Sequence, residues 1–357
     1  MTPVYARQLT SDLGWVALAV SAYSVTNLAG NLFAGFLIDR IPKGLAIALG
    51  LALGGLALAL ASSATSVGGL IAGLMLNGAA LSVVTPAAFA LLSQALPESS
   101  KAVGMARSGA AIGLAAMIGP PIGGLLADRL GYGPSYLAIG AFLASIALVC
   151  LLVLRKTSPV PPEPTGWGDF WGLVGDRALR RPYLGAFTLM FANGSLIFAL
   201  PPYIHDLGLP NVLLGALFST FALSAMVIFL SPLGALPKRL GAARTLAVGA
   251  GLLAVGIAAI ASLTALPALF GALVVYGLGF GLVFPSAVTD LVAHVPEGKR
   301  GTAFGIFYAV FSLGAIVGPV VLARAPQLGI APFHLAALVP AGLALGVWLR
   351  ARVPRHA

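Results

Sequence analysis

Residues able to do covalent chemistry are scarce in this chain. Its 357 residues include 10 carboxylates, 4 histidines and 1 cysteine. Enzymatic sites need paired carboxylates, a Ser/His/Asp set or a cluster of metal ligands. His205, His294, His334 and His356 stand at the ends of apolar runs without ligand spacing. Neither an enzyme nor a metal site is therefore expected. Cys150 stands alone, which excludes an internal disulfide. No G-x-x-x-x-G-K-S/T loop is present, so ATP is not the direct energy source and no cofactor is expected.

What remains is a set of amides and one acid. Asn27 lies twelve residues before Asp39, about 18 Å along a helix and near the middle of its run. Asn31 follows on the same face. Asn77, Asn193 and Tyr276 fall at comparable depths. An isolated amide in lipid is costly, so these side chains serve helix–helix hydrogen bonds or a substrate cavity. Phe191, Phe218, Phe221, Phe280 and Phe311 are available for its walls. Amides, aromatics and almost no charge suit a small molecule that is neutral or amphiphilic. Asp290 stands six residues before Pro296, roughly 9 Å from the end of its run. An intramembrane acid is functional by default. Asp290 is the candidate for ion coupling, with capping or a pair with Arg300 as the alternative.

The elements that position these residues are membrane spans. Hydrophobic residues make up 59% of the chain and charged residues 8%, with mean hydropathy +1.01. A soluble domain carries about 25% charge, so the lipid bilayer is the expected surroundings. Runs long enough to cross a bilayer, roughly 20 residues each, cover 14–38, 44–62, 67–95, 103–127, 134–154, 183–204, 210–235, 242–262, 266–293, 301–323 and 331–349. The fold class is all-α: a polytopic membrane protein. The net charge of +10 forms no basic face for nucleic acid. With the 38–44 turn inside, the inner side holds 17 of the 20 Lys and Arg, and the outer side only Arg7, Arg129 and Arg324. That positive-inside bias puts the C-terminus in the cytoplasm of a cell inner (plasma) membrane.

The spans repeat. Gly35-Phe-Leu-Ile-Asp39-Arg40 recurs 199 residues later as Gly234-Ala-Leu-Pro-Lys238-Arg239. Pro97-Glu98 recurs as Pro296-Glu297, and Gly119-Pro120 as Gly318-Pro319. One offset for three pairs indicates a duplicated unit. The second copy holds six runs and the first only five. Pro3-Val4-Tyr5 stands where Pro201-Pro202-Tyr203 ends the first span of the second copy. Twelve spans are thus expected where eleven are visible, with a leading span missing. A genuine eleven-span chain is the alternative. The expected division is an N-terminal bundle over 1–154, a cytoplasmic linker over 155–182 and a C-terminal bundle over 183–357. The linker opens proline-rich and stiff. It continues from Trp167 to Arg181 as a short amphipathic helix on the inner membrane surface.

Together these motifs resemble the major facilitator superfamily over essentially the whole chain. Gly35-x-x-x-Asp39-Arg40 is similar to that family's cytoplasmic signature, although its basic continuation is reduced to Lys43. The resemblance implies two pseudo-symmetric helical bundles rocking about a central site, with a monomer as the working unit. It implies a gate built from Gly35, Asp39, Arg40, Lys238, Arg239 and Arg300. The segment holding Gly109, Gly113, Gly119, Pro120 and Gly123 is similar to the fifth-helix motif of proton-coupled drug and metabolite exporters. There, and at Gly318-Pro319, small residues let helices pack closely. The resemblance therefore implies efflux by antiport against protons. The arginine usual in the fourth helix of that exporter group is replaced by Leu74, ahead of Asn77-Gly78. A truncated or non-transporting relative, with a regulatory or lost function, is the alternative.

Overall fold

The computed structural model describes residues 1–38, 41–95, 115, 118–119, 122–154, 167–295 and 300–352. All regular structure among them is helical. The chain divides into two compact units. Unit 1 takes Met1–Ile112 and Gly123–Pro164. Its helices are α1 (Thr2–Leu9), α2 (Leu13–Ile38), α3 (Lys43–Ser62), α4 (Val67–Leu81), α5 (Val84–Ala95), α6 (described over 122–130, with Ile122 itself in unit 2) and α7 (Tyr132–Leu154). Unit 2 takes Gly113–Ile122 and Thr165–Ala357. It holds α8 (Trp167–Gly175), α9 (Arg180–Asp206), α10 (Asn211–Leu230), α11 (Leu236–Leu240), α12 (Ala242–Ile260), α13 (Leu266–His294), α14 (Arg300–Leu322), α15 (Ala325–Leu328) and α16 (Pro332–Arg352).

Ten candidate membrane spans occur among the described residues. They fall on ten of the eleven expected runs. The remaining run, 103–127, lies mostly outside the described residues. Two runs are less simple than their hydropathy suggests. The run 67–95 breaks at Ser82-Val83 into α4 and α5. Pro86 has no N–H to give the Ser82 carbonyl, and its ring crowds that turn. The run 210–235 ends early at Leu230, where Pro232 starts a 3-10 turn. Ser231 Oγ accepts from the Leu233 N–H at 3.3 Å and caps that turn.

Burial follows the solvent that composition predicts. Phe142, Leu152, Val153, Val255 and Leu338 are exposed, while Ala and Gly crowd the interior. Small residues inside let helix backbones approach, the packing available where lipid removes the hydrophobic drive.

The duplication is visible in the contacts of each unit. A Cβ on Gly50 would meet Val84 Cγ2 at 2.6 Å and the Ala80 carbonyl oxygen at 2.8 Å. A Cβ on Gly249 would meet Val283 Cγ2 at 2.9 Å and the Gly279 carbonyl oxygen at 3.0 Å. All three positions differ by the sequence offset. Gly78 packs on the Tyr23 carbonyl and Thr26, and Gly277 on the Phe221 carbonyl and Ser224. The Tyr5 hydroxyl donates to the Ala64 carbonyl at 3.1 Å, and the Tyr203 hydroxyl to the Leu263 carbonyl at 2.7 Å. The short α1 is thus the structural counterpart of the last two turns of α9.

Candidate functional site

In unit 1 the residues that could meet a solute lie along α2. Tyr23, Asn27 and Asn31 are four apart and form one stripe. The Asn31 amide donates to Asn27 Oδ1 at 2.9 Å. The Asn27 amide donates to the Gly78 carbonyl at 3.3 Å and, at the long limit of 3.5 Å, to the Tyr23 hydroxyl. That hydroxyl keeps its own proton to donate outward. Asn31 Oδ1 accepts no bond from another described residue. Beside the stripe, Thr26 Oγ1 donates to the Met75 carbonyl at 2.6 Å and ties α2 to α4.

A second exposed stripe on α2 runs through Leu18, Val25 and Ala29. Val25 and Asn27 are two residues apart, which turns them roughly 200° around the axis. One side of α2 is therefore apolar and suits lipid. The opposite side carries half-exposed amides, which lipid would penalise.

The remaining polar candidates behave differently. Asn77 is buried, and its amide donates to the Gly54 carbonyl of α3 at 3.0 Å. Tyr276 is fully buried on α13, edge-on to the Phe221 ring at 5.5 Å. Its hydroxyl has no hydrogen-bond partner among the described residues. Asn193 is half-buried on α9, and its side chain makes no hydrogen bond to another described residue. Sequence spacing gave Asn77 and Tyr276 a depth but not a face. Tyr23 was missed because a lone tyrosine reads as packing until its neighbour Asn27 is seen bonded to it.

Among the described residues the one buried acid is in unit 2. Asp290 is 3% exposed. Both its carboxylate oxygens take N–H groups from Arg181, at the start of α9. His294 lies one turn on, with Nδ1 2.8 Å from the Asp290 carbonyl and 3.5 Å from Asp290 Oδ1. The partner is thus Arg181, 109 residues away in sequence. The Arg300 side chain, suggested by spacing, lies outside the described residues. Subtracting the offset from Asp290 gives Leu91, half-buried beside the Ala46–Ile47–Ala87 cluster. The pair is special to unit 2.

The family model described as Major Facilitator Superfamily matches residues 1–319 and 182–357. The chain belongs to the Major Facilitator Superfamily. It is a multi-pass membrane protein of a transporter family. A multi-drug resistance efflux pump of Streptococcus pneumoniae, PmrA, is 29% identical, covering 89% of this chain and 82% of its own. The riboflavin transporter RibZ of Clostridioides difficile is 23% identical over 88% of this chain and 81% of its own. The quinolone resistance protein NorA of Staphylococcus aureus is 30% identical over 41% of this chain and 39% of its own. Among solved structures, a POT family transporter in complex with a thioalcohol-conjugated peptide superposes with TM-score 0.79 at 13% identity. It covers 98% of this chain and 90% of its own. The human organic anion transporter TETRAN gives 0.67 at 21% identity, over 93% of this chain and 82% of its own.

The superfamily signature is described only in part. Gly35 sits in the last turns of α2, while Asp39 and Arg40 lie outside the described residues. Lys238 and Arg239 fall on α11, with Arg239 exposed and the Lys238 side chain not described. Of the fifth-helix set, Gly109, Gly113 and Pro120 are outside the described residues. Gly119 is helical with open space around it, and Gly123 has only the Met1 side chain in reach. Gly318 and Pro319 are buried on α14. Gly314 and Gly318 lie against the Phe187 and Phe191 carbonyls, and Gly194 answers from α9 against Ala315 and Pro319. That register makes α9 and α14 parallel and tightly packed.

Proposed function

We propose that this chain is a secondary transporter that exports a small neutral or amphiphilic molecule by alternating access, in exchange for protons. The observation that carries the reading is the polar stripe of Tyr23, Asn27 and Asn31, set opposite the apolar stripe of the same helix. The stripe offers one free donor, the Tyr23 hydroxyl, and one free acceptor, Asn31 Oδ1. They are eight residues apart, or about 12 Å along the helix. A solute with polar groups at both ends and an apolar body fits that spacing. Asn77 backs the stripe within unit 1 by its bond to α3. Asn193 and Tyr276 are the residues of unit 2 that we assign to the cavity from their depth in their spans.

Efflux is favoured by the similarity to PmrA, named as a multi-drug resistance efflux pump. Asp290 is the acid we assign to proton exchange, with Arg181 as its competing cation. A proton and a guanidinium cannot both hold one carboxylate fully, so binding of one weakens the other. Gly35, Asp39, Arg40, Lys238, Arg239 and Arg300 form the gate. Gly318 and Pro319 let helices slide at close range, and we assign the same role to Gly109, Gly113 and Pro120; Gly119 and Gly123, with no helix against them, are left out of it. The two bundles cover 1–154 and 183–357, joined by the 155–182 linker. The protein works as a monomer in the inner (plasma) membrane with its C-terminus in the cytoplasm.

Flux into proteoliposomes tests this. Inside-out vesicles holding the purified protein should accumulate an amphiphilic dye or drug when the lumen is made acidic. Asn27→Leu with Asn31→Leu should lower that flux. Equal flux with and without a pH gradient would remove proton exchange. No flux across a panel of amphiphiles from folded protein would remove transport itself.

A further inference from the structure

We propose that the corner between α8 and α9 is a binding site for an anionic phospholipid, held by Arg177 and Arg180. The parallel register of α9 and α14 puts their starts at one end of the bundle, and α8 packs against α14. The corner therefore lies at the level where the bilayer meets water. Leu173 and Leu179 are buried and fix it to unit 2. Outward it shows Trp171, 64% exposed, with Val174 beside it. Leu184, 51% exposed, follows Arg180 by one turn of α9 and on the same face. That places a guanidinium one turn, about 5 Å, beyond an acyl-facing leucine. This is headgroup depth, where Trp also settles.

The charge is positioned for an anion. Arg177 and Arg180 are exposed, and neither pairs with a described carboxylate. Asp176, between them and α8, spends one oxygen on the Ala178 N–H at 2.8 Å. Arg181, the next cation, is consumed by Asp290. Two guanidiniums three residues apart, with no described carboxylate against them, flank an apolar surface. Trp171, Val174 and Leu184 seat acyl chains next to the two guanidiniums, so the phosphate held closest to them is that of the same lipid. The occupant is therefore a lipid with a net negative headgroup, such as phosphatidylglycerol.

Native mass spectrometry of the protein released from mixed phosphatidylglycerol and phosphatidylcholine nanodiscs is the test. The unaltered chain should retain phosphatidylglycerol preferentially. Arg177→Gln with Arg180→Gln should reduce that preference by about thirtyfold, the scale of two arginines at a charged surface. Unchanged preference in the double variant would overturn the proposal. So would displacement of the retained lipid by millimolar inorganic phosphate. A second measurement needs no arginine variant. Fluorescence of the unaltered chain, less that of Trp171→Phe, should be quenched more by brominated phosphatidylglycerol than by brominated phosphatidylcholine. Equal quenching by the two lipids would also overturn it.

Discussion

Arg181 reaches from the first turn of α9 to hold both carboxylate oxygens of Asp290 on α13. The carboxylate is 4% exposed and the guanidinium 36%. A buried ion pair repays its desolvation only when geometry is good, and it is weak evidence for stability. The sister position to Asp290 is Leu91. The fold thus tolerates an apolar side chain at this depth in one copy, and the acid in the other calls for a reason beyond packing.

The first prediction uses that contrast. Arg181→Leu alone strands a buried carboxylate. It should cost toward the lower end of the roughly 3–5 kcal/mol typical of a broken buried pair, because Arg181 is partly solvated. Arg181→Leu with Asp290→Leu should recover most of that loss. Thermal unfolding in detergent, arranged as a double-mutant cycle, measures both. The doubly apolar protein should fold yet lose the response of flux to a pH gradient. If it keeps that response, Asp290 is not the coupling acid.

A second prediction separates amides that meet solute from those that join helices. Asn77→Leu removes a bond to the Gly54 carbonyl and should lower stability by about 0.6–1.7 kcal/mol, the range for interhelical hydrogen bonds in membranes. Asn31→Leu removes no helix–helix bond, since its amide donates along its own helix to Asn27. It should leave the melting temperature near that of the parent and change apparent solute affinity. Reversed outcomes would exchange the roles of the two residues.

Much of this was legible in the sequence because bilayer physics is simple. Runs of about 20 apolar residues can only be spans, and one offset carried by three motifs can only be a repeat. The repeat aligned Pro3-Val4-Tyr5 with Pro201-Pro202-Tyr203, while the matched contacts of Gly78 and Gly277 came only with the structure. Faces were not legible. Asn27 and Asn77 have the same depth and the same chemistry. Only the rotation of α4 shows that Asn77 turns to α3. The partner of Asp290 was hidden for another reason. Arg181 stands 109 residues away, and the sequence offered the nearer Arg300. Hydropathy also joined α4 to α5, because it does not register the N–H that Pro86 lacks.

The third prediction concerns the paired glycines. Gly78 and Gly277 lie so close to the Tyr23 and Phe221 carbonyls that any Cβ overlaps backbone. Gly78→Val and Gly277→Val should each lower the yield of monodisperse protein strongly. The cost should match or exceed the 1–3 kcal/mol usual for overpacking, since backbone rather than a side chain must yield. Gly251→Ala and Gly271→Ala have nothing within 4 Å of the new methyl and serve as controls. Fluorescence-detected size exclusion of tagged variants reads all four. A tolerant Gly277→Val would mean that α10 and α13 are less closely fixed than α2 and α4.

The fourth prediction tests whether the ends of the two repeats do equal work. The Tyr5 and Tyr203 hydroxyls each reach a carbonyl just past the third helix of their copy, Ala64 and Leu263. Each ring also packs on an aromatic neighbour, Tyr132 and Tyr136 for Tyr5 and Phe333 for Tyr203. Phenylalanine keeps the ring and removes only the donor. Tyr5→Phe and Tyr203→Phe should therefore cost about the same, near 1 kcal/mol each, the net worth of one hydrogen bond. The sites are far apart in sequence and share no partner, so the double variant should lose the sum. Thermal unfolding of the three variants measures this. A loss at Tyr203 with none at Tyr5 would show that α1 does not hold the end of its bundle as α9 does. In that case the sequence repeat would overstate the structural one at this end of unit 1.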